Sequence, residues 1–431
     1  MRTTLLLVTL CACGGGLDAV NTKGPETSPP KTYGGSGSPL TSPCDFSGPV
    51  RPVLTGSTAG EAFVIHSDGS KVTLVKAQGE QTWISTPVAR GGFVAVGTTS
   101  IAGGRYVSEL GLFDTGGKRL ASAPGSGGSV SELGVVASWA QEGGLLLLSR
   151  DGTARVEPEL TPAADFGPGG LLPVWKGESR QLALLDVSTH AVKELRIPVA
   201  GWSSPVWAGD MLVYLGEAGG MLQLVRLEGD VERTTPIVAS ALNAGLEVEQ
   251  VTDDFAVLVT GSWVQTRSRL DLETGELTPL EVKQPEGMLF AGRASARLAD
   301  DGSLVAAFRK DGAAGLFRSL DGVAWAPLGA GVEGATWVEF IGRQGSWVMS
   351  TAGALGWSSA KATALVPSMG RTVELPSPAG GDLAAEALSH DGRCVAVWGT
   401  DGALTAVDLV KGTSRVLLQT ADRAASASWL R

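Results

Sequence analysis

From residue 50 onward, apolar positions come in short runs, many of them closed by a glycine-containing turn. Leu145–Leu148 and Phe255–Val259 are typical. Such runs are apolar on both faces and too short for helices, which suits strands buried between neighbouring sheets. Two such runs are followed by a third that mixes charge into the pattern, as in KRLAS, VKELRIP and VERTTPI. An outermost strand needs that charge to resist pairing with other chains. No long stripe with a 3.6-residue period, bounded by an N-cap and a glycine stop, occurs anywhere. The chain is therefore expected to be all-β.

The runs repeat as a unit. Residues 299–322 read ADDGSLVAAFRKDGAAGLFRSLDG and residues 389–412 read SHDGRCVAVWGTDGALTAVDLVKG. Turn glycines fall at Gly302, Gly312 and Gly322 in the first and at Gly392, Gly402 and Gly412 in the second. The same grammar is found at 61–85, 92–124, 134–160, 170–198, 211–237 and 252–280, and SWVMSTAGALGWSS (346–359) marks a unit between the two quoted. Nine candidate units of roughly 40 residues have the period of four-stranded propeller blades. The expected fold is a β-propeller of four-stranded antiparallel blades, seven to nine in number, with eight or nine preferred. The units ending near Pro158 and Pro367 are the weakest, and the ring has eight blades if one of them is only a loop. The final stretch, Ser426–Arg431, follows a complete unit and reads as the first strand of one more. Pairing with the first unit, near Glu61, would close the ring and remove two open sheet edges.

The N-terminus follows different rules. Arg2 precedes the apolar run Leu5–Leu10, which is too short to span a bilayer and reads as a signal-peptide core. Leu10-Cys11-Ala12-Cys13-Gly14 then resembles the bacterial lipobox, with Cys11 standing where a small residue is usual. The resemblance implies a signal peptide over 1–12, lipidation of Cys13 and, by analogy with enteric sorting, an outer-membrane anchor facing the periplasm or the surface. Residues 13–46 are rich in Gly, Pro, Ser and Thr, and are expected to be a flexible tether to a propeller over 47–431. Two further cysteines remain, Cys44 before the first unit and Cys394 in the last, which ring closure would make neighbours. A disulfide between them and two separate thiols are both compatible with the sequence.

Composition narrows the functional classes. Hydrophobic residues make up 43% of the 431 and charged residues 18%, enough to bury a core. A formal net charge of −10, with no Lys/Arg run, argues against nucleic-acid binding and against charge-driven membrane binding. His66, His190 and His390 each sit at or beside a turn, and none lies near a Cys or another His at metal-ligand spacing. The contiguous Ser389-His390-Asp391 is a turn, since its side chains diverge. Asp253-Asp254 and Asp300-Asp301 occupy equivalent turns, where capping of backbone N–H groups is the first reading and a Ca²⁺ site the alternative. No catalytic residue, metal or cofactor is expected. There are 12 Trp against 3 Tyr. Trp83, Trp139, Trp175, Trp207, Trp263, Trp325, Trp337, Trp347, Trp357 and Trp398 are read as packing between blades, with a carbohydrate or peptide groove as the alternative.

The unit at 389–412 resembles a blade of the WD40-like propellers of TolB-type periplasmic proteins, in its S-x-D-G, apolar strand, D-G, and apolar strand ending in Asp. RSLDGVAWAPL (318–328) resembles a sialidase Asp-box one residue short, although the Tyr nucleophile of such enzymes would have to be Tyr106 or Tyr214, since Tyr33 lies in the tether. DLETGELTPL (271–280) resembles the repeat of the eight-bladed lipoprotein that assists outer-membrane barrel insertion, without its closing Trp. Together these imply a non-enzymatic envelope lipoprotein whose propeller binds other envelope proteins. An outer-membrane-assembly accessory and a carbohydrate-binding or sialidase-like propeller are the alternatives.

Overall fold

In the computed structural model, inner strands such as 61–66, 145–149 and 255–260 are buried on both faces, and this fixes the architecture. The structure describes Cys44, Phe46 and residues 49–430 apart from short stretches, the longest being 238–245, 261–265, 291–296, 351–361, 367–372 and 375–382. Among the described residues the strands form nine antiparallel sheets, seven of four strands, one of five and one of six. They succeed one another along the chain as the blades of a propeller. Blade 1 holds strands 52–58, 61–66 and 71–76, and blade 2 is built on the long hairpin 93–102/105–114. Blades 3 to 6 cover 129–157, 160–194, 206–236 and 247–279, and blades 7 to 9 cover 289–333, 337–374 and 383–419. The only helical piece among the described residues is a 3-10 turn at Pro168–Gly170.

Alternation along each strand sends successive side chains to opposite neighbours. In blade 1, Ala62 and Val64 pack against Val94 and Val96 of blade 2, whereas Phe63 and Ile65 pack against Cys394, Ala396 and Trp398 of blade 9. Blade 3 repeats the division, with Val136, Leu146 and Leu148 facing blade 2 and Ala137, Leu145 and Leu147 facing blade 4. The fourth strands behave differently: 154–157 and 191–194 are almost wholly exposed, as their charged sequences require at an outer edge.

Blade 1 lacks a first strand of its own in sequence order, and residues 424–429 supply it. They pair antiparallel with 52–58, setting Leu54 opposite Trp429 and Gly56 opposite Ala427. The expected closure by the chain's last strand is thus present. Blade 1 itself begins at Pro52, earlier than the sequence unit suggested, and Thr82–Ile84 belongs to blade 2, not to the end of unit 1. The weak units ending near Pro158 and Pro367 are both complete four-stranded sheets.

The seam is tightly filled. A Cβ on Gly56 would stand 2.9 Å from Phe63 Cε2 and 3.0 Å from Trp398 Cζ3, so only glycine fits between those rings. Ser57 and Ser426 share a hydrogen bond of 2.7 Å, and Trp429 Nε1 donates to Ala387 O of blade 9 at 2.9 Å. Arg415 of blade 9 donates to the carbonyls of Ser67 and Asp68 in blade 1 and stacks over Phe46. Cys44 and Cys394 are disulfide-bonded with a Cα–Cα distance of 5.6 Å, fastening the segment before blade 1 to blade 9. Trp207 and Trp325 repeat the Trp429 device, each donating its indole N–H at 2.9 Å to a carbonyl 42 residues upstream, Asp165 and Lys283.

Trp429→Ala removes a buried indole and its hydrogen bond from the seam. Large-to-small changes of this kind cost about 3–5 kcal/mol, and urea denaturation followed by circular dichroism is expected to show a loss in that range. Non-reducing proteolysis of the oxidised protein is expected to release one linked peptide pair containing Cys44 and Cys394. The 350-residue separation gives that cross-link a chain-entropy contribution of about 5 kcal/mol, less any strain, and Cys394→Ala should lower the denaturation midpoint accordingly.

Candidate functional site

Two of the motifs singled out in the sequence, 271–280 and 318–328, lie side by side. They line an open groove of about 370 Å³ between blades 6 and 7, with Arg269, Glu276, Leu280, Leu304 and Leu320 among its walls. The groove sits over an apolar cluster in which Phe255 and Val257 of blade 6 meet Leu304, Ala306 and Phe308 of blade 7. Arg269 lies on the third strand of blade 6, opposite Val257, and therefore faces blade 7. Its guanidinium rests over the Phe255 ring at 4.8 Å, a cation–π contact at the groove floor.

Each motif is a turn held by an aspartate. In the first, Asp271 Oδ1 accepts hydrogen bonds from the N–H groups of Glu273 and Thr274 at 3.0 and 2.7 Å and from the Thr274 hydroxyl at 2.9 Å. Gly275 closes that turn at φ 75°, where a Cβ would stand 2.5 Å from Pro236 O. In the second, Asp321 Oδ1 accepts from the N–H groups of Val323 and Ala324 at 2.8 and 2.9 Å, and Ser319 Oγ accepts from Gly322 N at 2.9 Å. Trp325 then folds back onto Phe308, its ring edge-on at 5.1 Å, and anchors the turn to the core. The shortened Asp-box therefore forms a structural hairpin: its Ser and Asp cap backbone, and its Trp packs. The tight turn leaves Leu320 86% exposed at the groove rim, with Val323 exposed beside it.

These hydrogen bonds to the ionised carboxylate set its acidity. The N–H groups of Ala324 and Val323, with the Ser319 hydroxyl, push Asp321 down to about 2. Thr274 lowers Asp271 in the same way. The device recurs at the equivalent turns of other blades. Asp68 caps Ser70, Asp114 caps Lys118, Asp151 caps Thr153 and Asp408 caps Lys411. In blade 4, Asp186 is driven to about 2, chiefly by the hydroxyls of Ser188 and Thr189. Because third-to-fourth-strand turns all emerge on one side of a ring of like-ordered blades, that side carries a row of aspartates, each committed to its own turn.

Among the described residues, no group of three or more His, Cys, Asp or Glu side chains is arranged to hold a metal ion. Asp254 is exposed at its turn, and Asp253, Asp300 and Asp301 lie outside the described residues, as do Cys13, Tyr33, His390 and Trp263. His66 ends the third strand of blade 1, and His190 occupies a turn at φ 58°. Tyr214 is buried, donates to Ile197 O at 3.1 Å and is pushed far above the usual phenol range by burial. Tyr106 is 74% exposed. Of the tryptophans, Trp398 is fully buried and Trp175, Trp207 and Trp325 are half-buried, whereas Trp83 and Trp139 face solvent and do not pack between blades. The side chains of Trp337, Trp347 and Trp357 lie outside the described residues. Sequence reading missed Arg269, Phe255 and Leu320. Leu320 carried a signal: it is the free position of an S-x-D-G turn, which the cap forces outward.

No protein-family model and no curated protein matches the chain. Among solved structures it is similar to the β-propeller domain of the Trilobed protease from Pyrococcus furiosus, at 12% identity over 69% of this chain and 96% of that one, with a TM-score of 0.35. It is similar to TolB from Acinetobacter baumannii at 16% identity over 63% of this chain and 62% of that one, with a TM-score of 0.29. The dihydro-heme d1 dehydrogenase NirN in complex with DHE is 15% identical over 87% of this chain and 74% of that one, with a TM-score of 0.38.

The lowered aspartates give a pH dependence of definite sign. A carboxyl whose folded value lies below its unfolded value contributes stability that is fully present above the unfolded value and lost as pH falls through the folded one. The urea midpoint is therefore expected to fall between about pH 4 and about pH 2. Asp321→Ala should lower the midpoint at neutral pH and flatten its decline across that window, as read by tryptophan fluorescence.

Proposed function

We propose that this chain is a non-enzymatic interaction platform of a bacterial cell envelope, and that the groove between blades 6 and 7 receives a segment of another envelope protein. The observation that carries this reading is the composition of the groove rim. Leu320 stands 86% exposed, with Val323 exposed in the same turn, and shares the groove with an arginine whose guanidinium lies over an aromatic ring. Exposed apolar side chains at a groove mark an interaction surface, and Arg is among the residues enriched at the energetic centres of protein interfaces. The flanking aspartates are fixed by their own turns, so the wall shape is set before any partner arrives, which lowers the ordering cost of binding. The segment from a lipidated Cys13 to Cys44, where the disulfide fixes the chain to blade 9, would tether the ring to the outer membrane. A role in outer-membrane assembly is the second reading, favoured by the placement of DLETGELTPL in the groove wall.

A photo-crosslinking residue at Val323 in the full chain is expected to give discrete adducts in intact envelopes. Leu320→Asp or Arg269→Glu should reduce those adducts at least about tenfold, the loss of roughly 1.4 kcal/mol. Unchanged adducts in both variants would place the contact elsewhere. Cys13→Ala should shift the protein from the membrane fraction to the soluble fraction or leave it unprocessed.

A further inference from the structure

Blade 2 departs from the other blades in a way that the interaction groove does not explain. Its second and third strands, 93–102 and 105–114, are each ten residues long. Its fourth strand pairs only as far as Glu109 opposite Pro124, so the tip of the hairpin stands free of it. A short strand, 82–84, pairs with the raised part of the hairpin on the other edge, setting Trp83 opposite Thr99. Thr99 is in turn opposite Ser108, and Ile101 is opposite Tyr106. Directly paired residues point to the same side of a sheet. Trp83, Thr99, Ile101, Tyr106 and Ser108 therefore form one wall.

That wall has three properties. First, its aromatic rings are open to solvent: Trp83 is 50% and Tyr106 is 74% exposed, with ring centroids 6.2 Å apart and planes at 46°. Second, it carries hydroxyls, with Thr99 Oγ1 and Ser108 Oγ 2.9 Å apart. This pair uses one of its two protons internally and leaves the other, with several lone pairs, for a ligand. Third, it is uncharged. Arg105 and Glu109, opposite Ala102 and Thr98, point to the other side of the sheet, where Glu109 pairs with Arg119. At the foot of the wall the chain passes to blade 3 as Gly125-Ser126-Gly127-Gly128, crossing close to Gly97, so this segment sets no bulky side chain against the ledge. Gly125 N donates to Ser108 O at 3.1 Å and holds that segment in place.

From these properties we infer that the ledge of blade 2 binds a neutral glycan. A sugar ring has an apolar C–H face and a rim of hydroxyls, and the two exposed amphipathic rings and the Thr99/Ser108 pair match those two parts. An uncharged wall offers nothing to a phosphate, an anionic lipid or a basic peptide. The hairpin tip lies on the side of the ring opposite the aspartate-capped turns. The ledge is thus separate from the groove between blades 6 and 7, and its occupancy does not depend on the groove having a partner.

The full chain can be titrated with neutral hexasaccharides of β-1,4-glucose, α-1,4-glucose, β-1,4-N-acetylglucosamine and β-1,4-mannose, read by tryptophan fluorescence and calorimetry. At least one is expected to bind saturably. Trp83→Ala and Tyr106→Ala should each weaken it about tenfold or more with an unchanged thermal midpoint, and Trp139→Ala, an exposed Trp of blade 3, should leave it unchanged. Failure of all four sugars to bind overturns the inference, as does binding that survives both ledge variants. If instead a displayed peptide library yields clones whose binding is lost in Tyr106→Ala, the ledge takes a protein partner and the glycan assignment is wrong. Groove adducts at Val323 are expected to persist in the ledge variants, so failure of either site is seen independently of the other.

Discussion

Where side-chain burial is described, the blades of this protein are apolar on both faces, and no such sheet is stable unless something covers each side. Ala62 and Val64 of blade 1 need blade 2, and Phe63 and Ile65 need blade 9. This requirement passes from blade to blade and can be met throughout only if the series closes on itself. An open row would leave two apolar faces and two unpaired strand edges in water. The last strand answers both problems. Residues 424–429 give blade 1 its missing strand, and Trp429 reaches across to a carbonyl of blade 9. Buried rings, the Gly56 gap, the Ser57–Ser426 hydrogen bond and the Cys44–Cys394 bridge are concentrated at the seam because the chain is not continuous there in sequence.

Much of this was legible in the residues, since periodicity reports burial directly. Runs such as Leu145–Leu148, short and bounded by turn residues, read as strands covered on two sides, and the charged KRLAS type reads as an edge. The spare strand at the C-terminus was visible because it followed a complete unit. Strand ownership was less legible. Thr82–Ile84 looks like the end of unit 1 but opens blade 2, because a first strand and a fourth strand of adjacent blades are joined by a short connection and the sequence does not mark the crossing. The tryptophans divide for a similar reason. Trp398 and Trp83 are the same residue type, yet one is buried at the seam and the other lies on a hairpin that outgrows its neighbours. Hairpin length relative to adjacent blades is a property of the ring and not of the unit.

The groove shows the converse case, in which local chemistry was readable and its meaning was not. S-x-D-G and D-x-x-T-G are cap sequences: the aspartate bonds to N–H groups two and three residues on, and its acidity falls as a result. From sequence alone the same carboxylates were candidates for a cation site. A carboxylate that accepts two backbone hydrogen bonds has already spent much of its capacity. What the turns contribute to the surface is shape, since they hold Leu320 outward and keep the space above Arg269 open.

A ring whose blades share one strand order has two chemically distinct sides, since the turns joining second to third strands emerge opposite those joining third to fourth. In this chain the aspartate caps populate one side, and the raised hairpin of blade 2, with Trp83 and Tyr106, rises on the other. A substitution on one side is then separated from the other by the full depth of the packed blades. The interior that separates them is densely interlocked, as at Gly56, and leaves little room for relaxation. Both surfaces are therefore shaped by the same closure: a ring held shut at one seam fixes the spacing of every blade, and with it the width of the groove and the height of the ledge.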